Sequence, residues 1–184
     1  DGFDKFSPSW LDKIKPDGRT IYLTFGGTGY DPKKLLTLSE LLVEKGYRVI
    51  VSSSNIVDLD AFKKLNNLYV DKFLSGFAVC QKVDLVVCHG GIGTMSQAVI
   101  SGKPIVAVPF NPDQLLHAFR FQELGLGKCV PNLNIGDLIN LDWENFQQKG
   151  KTLPVDKILM AIEEVIGEKD KFKDSTRNSE PYAI

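Results

Sequence analysis

Short runs of aliphatic and β-branched residues recur along this chain, and most give way to a glycine or capping residue and then to a stretch with helical spacing. Ile21-Tyr22-Leu23-Thr24-Phe25 stops at Gly26-Gly27-Thr28-Gly29. Asp31-Pro32 then offers an N-cap and a proline at the first helical position, and Leu35, Leu38, Leu41 and Leu42 carry a helix to a C-capping Gly46. Arg48–Ser52, Asn67–Val70, Asp84–Cys88 and Pro104–Val108 read as further strands, with a short sixth at Lys128–Val130. Helices follow with Ile92, Met95, Val99 and Ile100 on one face, ending near Gly102, then from near Asp113 to near Gly125, and over Val155–Ile166, where apolar residues recur at i, i+3, i+4. Because the strands are continuous apolar runs rather than alternating ones, both sheet faces must be covered. The pattern predicts an α/β fold, a doubly wound parallel sheet of about six strands. Such sheets bind ligands beyond the carboxyl ends of their strands, where both glycine clusters, 26–29 and 90–93, fall.

Residues 1–18, broken by Pro8, Pro16 and Gly18, read as a lead-in or linker, 19–167 as one domain and 168–184 as a polar tail. With 22 Lys+Arg against 23 Asp+Glu, the chain lacks the basic excess of a general nucleic-acid binder. Cys80, Cys88 and Cys129 cannot form a disulfide framework and have no C-x-x-C spacing. No apolar run approaches ~18 residues, so the sequence offers neither a membrane span nor a signal-peptide core. A globular domain in a reducing, cytoplasmic setting is expected. The chain opens on Asp1 without an initiating Met, which fits a piece excised from a longer polypeptide.

His89-Gly90-Gly91-Ile92-Gly93-Thr94 joins a strand to a helix. Glycines let the backbone approach a ligand, and the helix start presents unpaired N–H groups and the positive end of the dipole. Thr94 can donate its hydroxyl, and His89 a ring N–H, to the same anion. That cradle suits a diphosphate, although a tight turn needing glycine for its own sake is the plain alternative. A P-loop is excluded because Thr94 stands where Lys is required. Gly91-Ile92-Gly93-Thr94-Met95-Ser96 nearly meets the dinucleotide fingerprint, but the acid 20 residues on, Asp113, opens a helix instead of closing a strand. No G-x-S-x-G elbow is present.

The longer string is recognisable. His89 to Thr94, Gly102-Lys103-Pro104, Pro109, Asp113-Gln114, Ala118, Arg120 and Leu124-Gly125-Leu126-Gly127 together resemble the donor-binding signature of UDP-glycosyltransferases, GT-B enzymes of the UGT type. Trp10-Leu11 and Arg19–Gly27 are similar to the linker and first C-terminal strand of that family, so the resemblance covers most of 8–130. It implies the Rossmann-like donor half of a GT-B fold. His89, Gly91, Gly93, Thr94 and Thr28 would hold the diphosphate of a UDP- or dTDP-sugar, and Asp113 and Gln114 the hydroxyls of its sugar. Asp113 can equally be a helix N-cap, and Gln114 an exposed first-turn residue. The family's aromatic followed by Val-Pro-Gln is Phe73-Leu74-Ser75-Gly76 here, so Phe73 either stacks on the base or lies in the core. Gln97 stands where the family often has an acid for the ribose hydroxyls, which leaves uridine and thymidine both open.

In the family the sugar moves with inversion to an acceptor hydroxyl, through stabilisation of the leaving diphosphate and a general base. The glycine-rich site lacks an Asp-x-Asp pair, so no metal is implied, and no cofactor beyond the nucleotide-sugar substrate. His117 reads as a surface or packing residue, so no catalytic base is expected in this chain. The resemblance places that base in an N-terminal acceptor-binding domain, on the same polypeptide or a separate subunit. An epimerase of GT-B architecture and a non-catalytic nucleotide-sugar-binding module are the alternatives.

Overall fold

The computed structural model describes residues 7–27, 30–53, 59–62, 65–132, 153–168 and 171–172. Six strands form one sheet: β1 (Thr20–Thr24), β2 (Arg48–Ser52), β3 (Leu68–Asp71), β4 (Leu85–Cys88), β5 (Ile105–Ala107) and β6 (Gly127–Cys129). Their order is β3-β2-β1-β4-β5-β6, every pairing parallel. The helices are α1 (Pro32–Glu44), α2 (Leu59–Phe62), α3 (Gly76–Cys80), α4 (Ile92–Ile100), α5 (Pro112–Glu123) and α6 (Val155–Gly167). This is the Rossmann-like doubly wound arrangement that the apolar runs predict, with strand ends within one residue of the expected positions.

Alternation along the strands sorts the core into two layers. Ile21, Leu23, Val49, Val51, Leu85 and Val87 face α1 and α6, which supply Leu35, Leu38, Leu42, Ile158, Ile162 and Val165. Tyr22, Ile50, Val86, Cys88 and Ile105 face the other way, onto Val79 and Cys80 of α3, Met95, Ala98 and Val99 of α4, and Ala118 of α5. The helices end as their sequences dictate. Asp31 accepts from the Lys33 N–H at 2.9 Å with Pro32 at the first helical position, and Gly46, just past the C-cap, takes φ +83°.

Both ends of the chain pack on the domain more closely than their composition suggests. The lead-in is an element of the core: Leu11 opens a 3₁₀ turn at Leu11–Lys13, and Leu11 and Ile14 are buried while Trp10 packs on Tyr69 with ring centroids 5.1 Å apart. Asp84 fastens it, accepting from the N–H groups of Gly18 at 2.9 Å and Thr20 at 3.0 Å. At the far end Phe172 is buried against the α6 layer, so the tail docks at least that far. The rest of the tail, from 173, lies outside the described residues. No helix among the described residues is long and apolar enough to cross a membrane.

The edge strand β6 depends on one missing side chain. A Cβ at Gly127 would fall on the Ile105 carbonyl of β5, with which Gly127 is in register. Backbone cannot give way as a flexible side chain can. Gly127→Ala is therefore expected to destabilise the domain by about 2–3 kcal/mol in urea denaturation, whereas Gly102→Ala, where a Cβ meets open space, costs only the strain of its positive φ.

Candidate functional site

β1 lies between β2 and β4, with Thr24 opposite both Ser52 and Cys88. The chain leaves β1 toward α1 on one face and leaves β4 toward α4 on the other. A crevice opens between them, at the topological switch point where such sheets take ligands. Phe25 floors it, fully buried, with Tyr30 and Phe110 rings 5.6 Å and 5.9 Å away. Tyr30 is fixed in turn by donating its hydroxyl to the Ser53 carbonyl at 3.2 Å.

His89 stands at this crevice, between the two glycine turns. A Cβ at Gly26 would lie 3.0 Å from the His89 Cε1, and one at Gly91 would lie 2.5 Å from its Nε2. Both glycines are thus needed to seat the imidazole, and Gly26 also takes φ +64°. The Nδ1 is buried and makes no hydrogen bond of good geometry among the described residues. Burial pulls the imidazole below its ordinary pKa, an effect that the nearby Thr24 backbone partly offsets. The ring is accordingly a neutral group at neutral pH.

Beyond His89 the backbone turns into α4. Gly90, at φ +84°, lies so close to α5 that a Cβ would come within 2.9 Å of the Gln114 carbonyl oxygen. Gly91 is the N-cap residue and offers no side-chain cap, so the N–H groups of Ile92, Gly93 and Thr94 have no acceptor within the helix. Among the described residues, a Cβ built at Gly27 or at Gly93 meets nothing within 4 Å. Three N–H groups without an intrahelical acceptor, close to a histidine, have the makings of an anion seat.

The other predicted residues surround this seat in different ways. Gln97 lies one turn past Thr94 on α4, its carboxamide oxygen where a Cβ of Gly76 would be. Phe73 follows β3 and is 51% exposed, so its core reading is excluded. Asp113 is on the first turn of α5 with its side chain 81% exposed, its carboxylate 3.8 Å from the Nδ1 of His117. The N-cap of α5 is Asn111, which accepts from the Gln114 N–H at 2.9 Å, so Asp113 is not the cap. Gln114 is buried rather than exposed, and its Oε1 accepts from the Phe110 N–H at 2.8 Å. The reciprocal bond goes to the residue before the cap rather than to the cap itself, so this is not a standard capping box, but the Gln114 oxygen is committed and only its NH₂ remains for a ligand. Thr28 lies outside the described residues. Sequence reasoning placed the Gly26 loop at the ligand end of the sheet, but passed over Asn111 and an Asp-x-Asp triplet at Asp58-Leu59-Asp60 beyond β2; Asp60 is exposed on α2, and Asp58 lies outside the described residues. The Asn-Pro pair was the available signal for the cap, because proline favours the first helical position and places the cap just before it.

Comparison with known proteins bears on the family and the fold. Residues 38–165 match the glycosyltransferase family 28 C-terminal domain. An NDP-glycosyltransferase of Bacillus licheniformis is 28% identical over 127 residues, 67% of this chain and 32% of that protein. A PGL/p-HBAD biosynthesis rhamnosyltransferase of Mycobacterium bovis is 32% identical over 120 residues, 65% of this chain and 26% of that protein. The chain thus spans between about a quarter and a third of the length of these curated relatives. Os79 from O. sativa in complex with UDP has the same fold, at TM-score 0.71 and 21% identity over 92% of this chain and 36% of that one.

The seating of His89 has a pH signature. Its folded pKa lies below the ordinary value near 6.5, so below that pH the unfolded chain binds a proton that the folded one resists. The stability this supplies is present above about pH 6.5 and is lost as pH falls. Between about pH 7.5 and pH 5, wild type should lose more unfolding free energy than His89→Gln in urea titrations. Parallel losses would mean that the ring titrates as if in water.

Proposed function

The chain belongs to the glycosyltransferase family 28 C-terminal domain family, and from that premise we propose that it is the donor-binding half of a glycosyltransferase acting on a UDP- or dTDP-sugar. The observation that carries the reading is the seat at the switch point: His89 between two glycine turns, next to the uncapped start of α4. The UDP in the Os79 structure supports the same ligand class.

In this reading the α4 N–H groups, the Thr94 hydroxyl and the Nε2–H of a neutral His89 hold the diphosphate. As the bond between sugar and diphosphate breaks, negative charge grows on the leaving oxygen, and the same donors, already oriented, interact with it more strongly than with the intact donor. Asp113 and the Gln114 NH₂ bind hydroxyls of the sugar, and Thr28 belongs to the loop beside the phosphates. Phe73 stacks on the base. The transfer is inverting and metal-independent, and the base that deprotonates the acceptor hydroxyl comes from an N-terminal acceptor-binding domain. The three cysteines form no disulfide, as suits a reducing compartment, and we place the protein in the cytoplasm.

Titration calorimetry with UDP, dTDP and pyrophosphate tests the seat. His89→Ala should weaken all three by about tenfold or more, the loss of one hydrogen bond to a charged group; unchanged affinity for both nucleotides sinks the assignment. Gly93→Ala separates function from folding, because its Cβ enters space that is empty in the free protein. The alanine should leave stability equal or higher by at most about 1 kcal/mol, through better helix propensity. It should still weaken pyrophosphate by about tenfold, by standing over the N–H groups.

A further inference from the structure

The amino ends of the strands, opposite the crevice, carry a charge pattern that the anion seat does not use. Hydrogen bonds join the segments there. The Asp84 N–H donates to the Thr20 carbonyl at 2.8 Å, the Val86 N–H to the Pro104 carbonyl at 3.1 Å, and the Arg48 guanidinium to the Lys15 carbonyl at 3.3 Å. One continuous surface thus gathers Lys13, Lys15 and Arg19 of the lead-in, Lys82 after α3 and Lys103 after α4. Lys13, Lys15 and Arg19 are exposed, and neither they nor Lys82 form an ion pair among the described residues. The acids between them are mostly committed. Asp84 accepts from two backbone N–H groups, and Asp17 pairs with Arg48 at 3.1 Å, which leaves Asp12, with Glu44 beyond it at the end of α1 on the other face of the sheet. Next to these cations Gln81 ties α3 to α4, donating to the Ser101 hydroxyl at 3.3 Å. Phe77, one helical turn before Gln81, and Ile100, adjacent to Ser101, are 43% and 52% exposed.

We propose that this basic and apolar face is a docking surface for an anionic lipid membrane, resting at the level of the headgroups with the crevice pointing away from the lipid. Four of the five cations are lysines, whose compact hydrated charges suit a diffuse layer of phosphate and carboxylate groups. Bidentate recognition of one phosphate or of a base edge calls for arginine instead. Phe77 and Ile100 add the apolar contact that a headgroup boundary accepts and a nucleic-acid backbone does not. The chain's net charge of −1 hides this face, because its cations are gathered at one edge while few acids there remain uncommitted. The surface is separate from the crevice, so the inference holds whichever ligand the crevice takes.

Cosedimentation of the full chain with vesicles tests the assignment. Phosphatidylcholine vesicles containing about 30 mol% phosphatidylserine should bind it about a hundredfold more strongly than phosphatidylcholine alone. Raising salt from about 0.1 M to about 0.5 M should remove that difference. Lys13→Gln, Lys15→Gln and Lys82→Gln together should bring binding down to the level of phosphatidylcholine alone. The same loss of charge at Lys33, Lys34 and Lys157, exposed on α1 and α6, should lower it less than about threefold, since those charges lie beyond a screening length from the lipid. Phe77→Ser should weaken binding about fivefold and leave its salt dependence unchanged. Equal binding to the two vesicle types, or equal losses in the two triple variants, would overturn the docking surface. Binding to duplex DNA without binding to anionic vesicles would overturn it in favour of a nucleic-acid surface.

Discussion

The pairing of β1 with β4 is the constraint on which the rest of the carboxyl edge depends. These strands are far apart in sequence, yet Thr24 sits opposite Cys88 in register, so the turns that follow emerge side by side. A slip of one residue would turn every side chain of β1 to the opposite face and mix the two core layers. With that register fixed, Gly26 and Gly91 come close enough to hold one imidazole between them. His89 is therefore located by two separate segments, and a group held from two sides loses little further freedom when a ligand arrives.

The glycines of the cleft divide into two kinds. Gly26, Gly90 and Gly91 are required by the folded protein, because a Cβ at each meets His89 or the Gln114 backbone. Gly27 and Gly93 are not, because nothing stands near the place a Cβ would take. A fold selected for stability alone would favour alanine over glycine in the first turn of α4, since glycine costs about 0.5–1 kcal/mol of chain entropy within a helix. On the proposed reading, the room over Gly93 among the described residues is the side from which a ligand would come, and the crowding around Gly26 and Gly91 is the side that supports it. A sequence cannot separate these kinds, because both are written with the same letter.

Much of the fold was legible in the chain because buried parallel strands are continuous apolar runs, and here glycine or proline punctuates nearly all of them. What escaped was short or depended on distant partners. α2 and α3 have four and five residues, too few to show a period, and α3 begins on a glycine whose reason is a side chain 21 positions later. Leu11 and Ile14 lie among prolines that suggest a linker, yet the Asp84 carboxylate, more than 60 residues away, bonds the chain just after them. Within the candidate site, the glycine turn with His89 was readable because its geometry is local, one strand end and one helix start. The inward turn of Gln114 was not, since Asn111 and Asp113 both suit a cap and only the conformation shows which carries it.

The near-balance of charge, a net of −1, gains meaning from this arrangement. None of the residues brought together at the crevice is Lys or Arg, and Asp113 adds a negative charge at its rim. An anion seat of this kind works through N–H dipoles whose influence fades within the first helical turn. It cannot draw a diphosphate from a distance as a basic cleft would. Its hold depends on contact, on geometry already in place and on the exclusion of water, because each N–H bond is worth far more where the local dielectric is low. The crevice over Gly27 and Gly93 is open on one side, and water there competes for the same N–H groups. Covering that side would strengthen every donor bond at once without adding a charge. This gives a physical reason for an anion seat of this design to hold its ligand most strongly when the open side is covered.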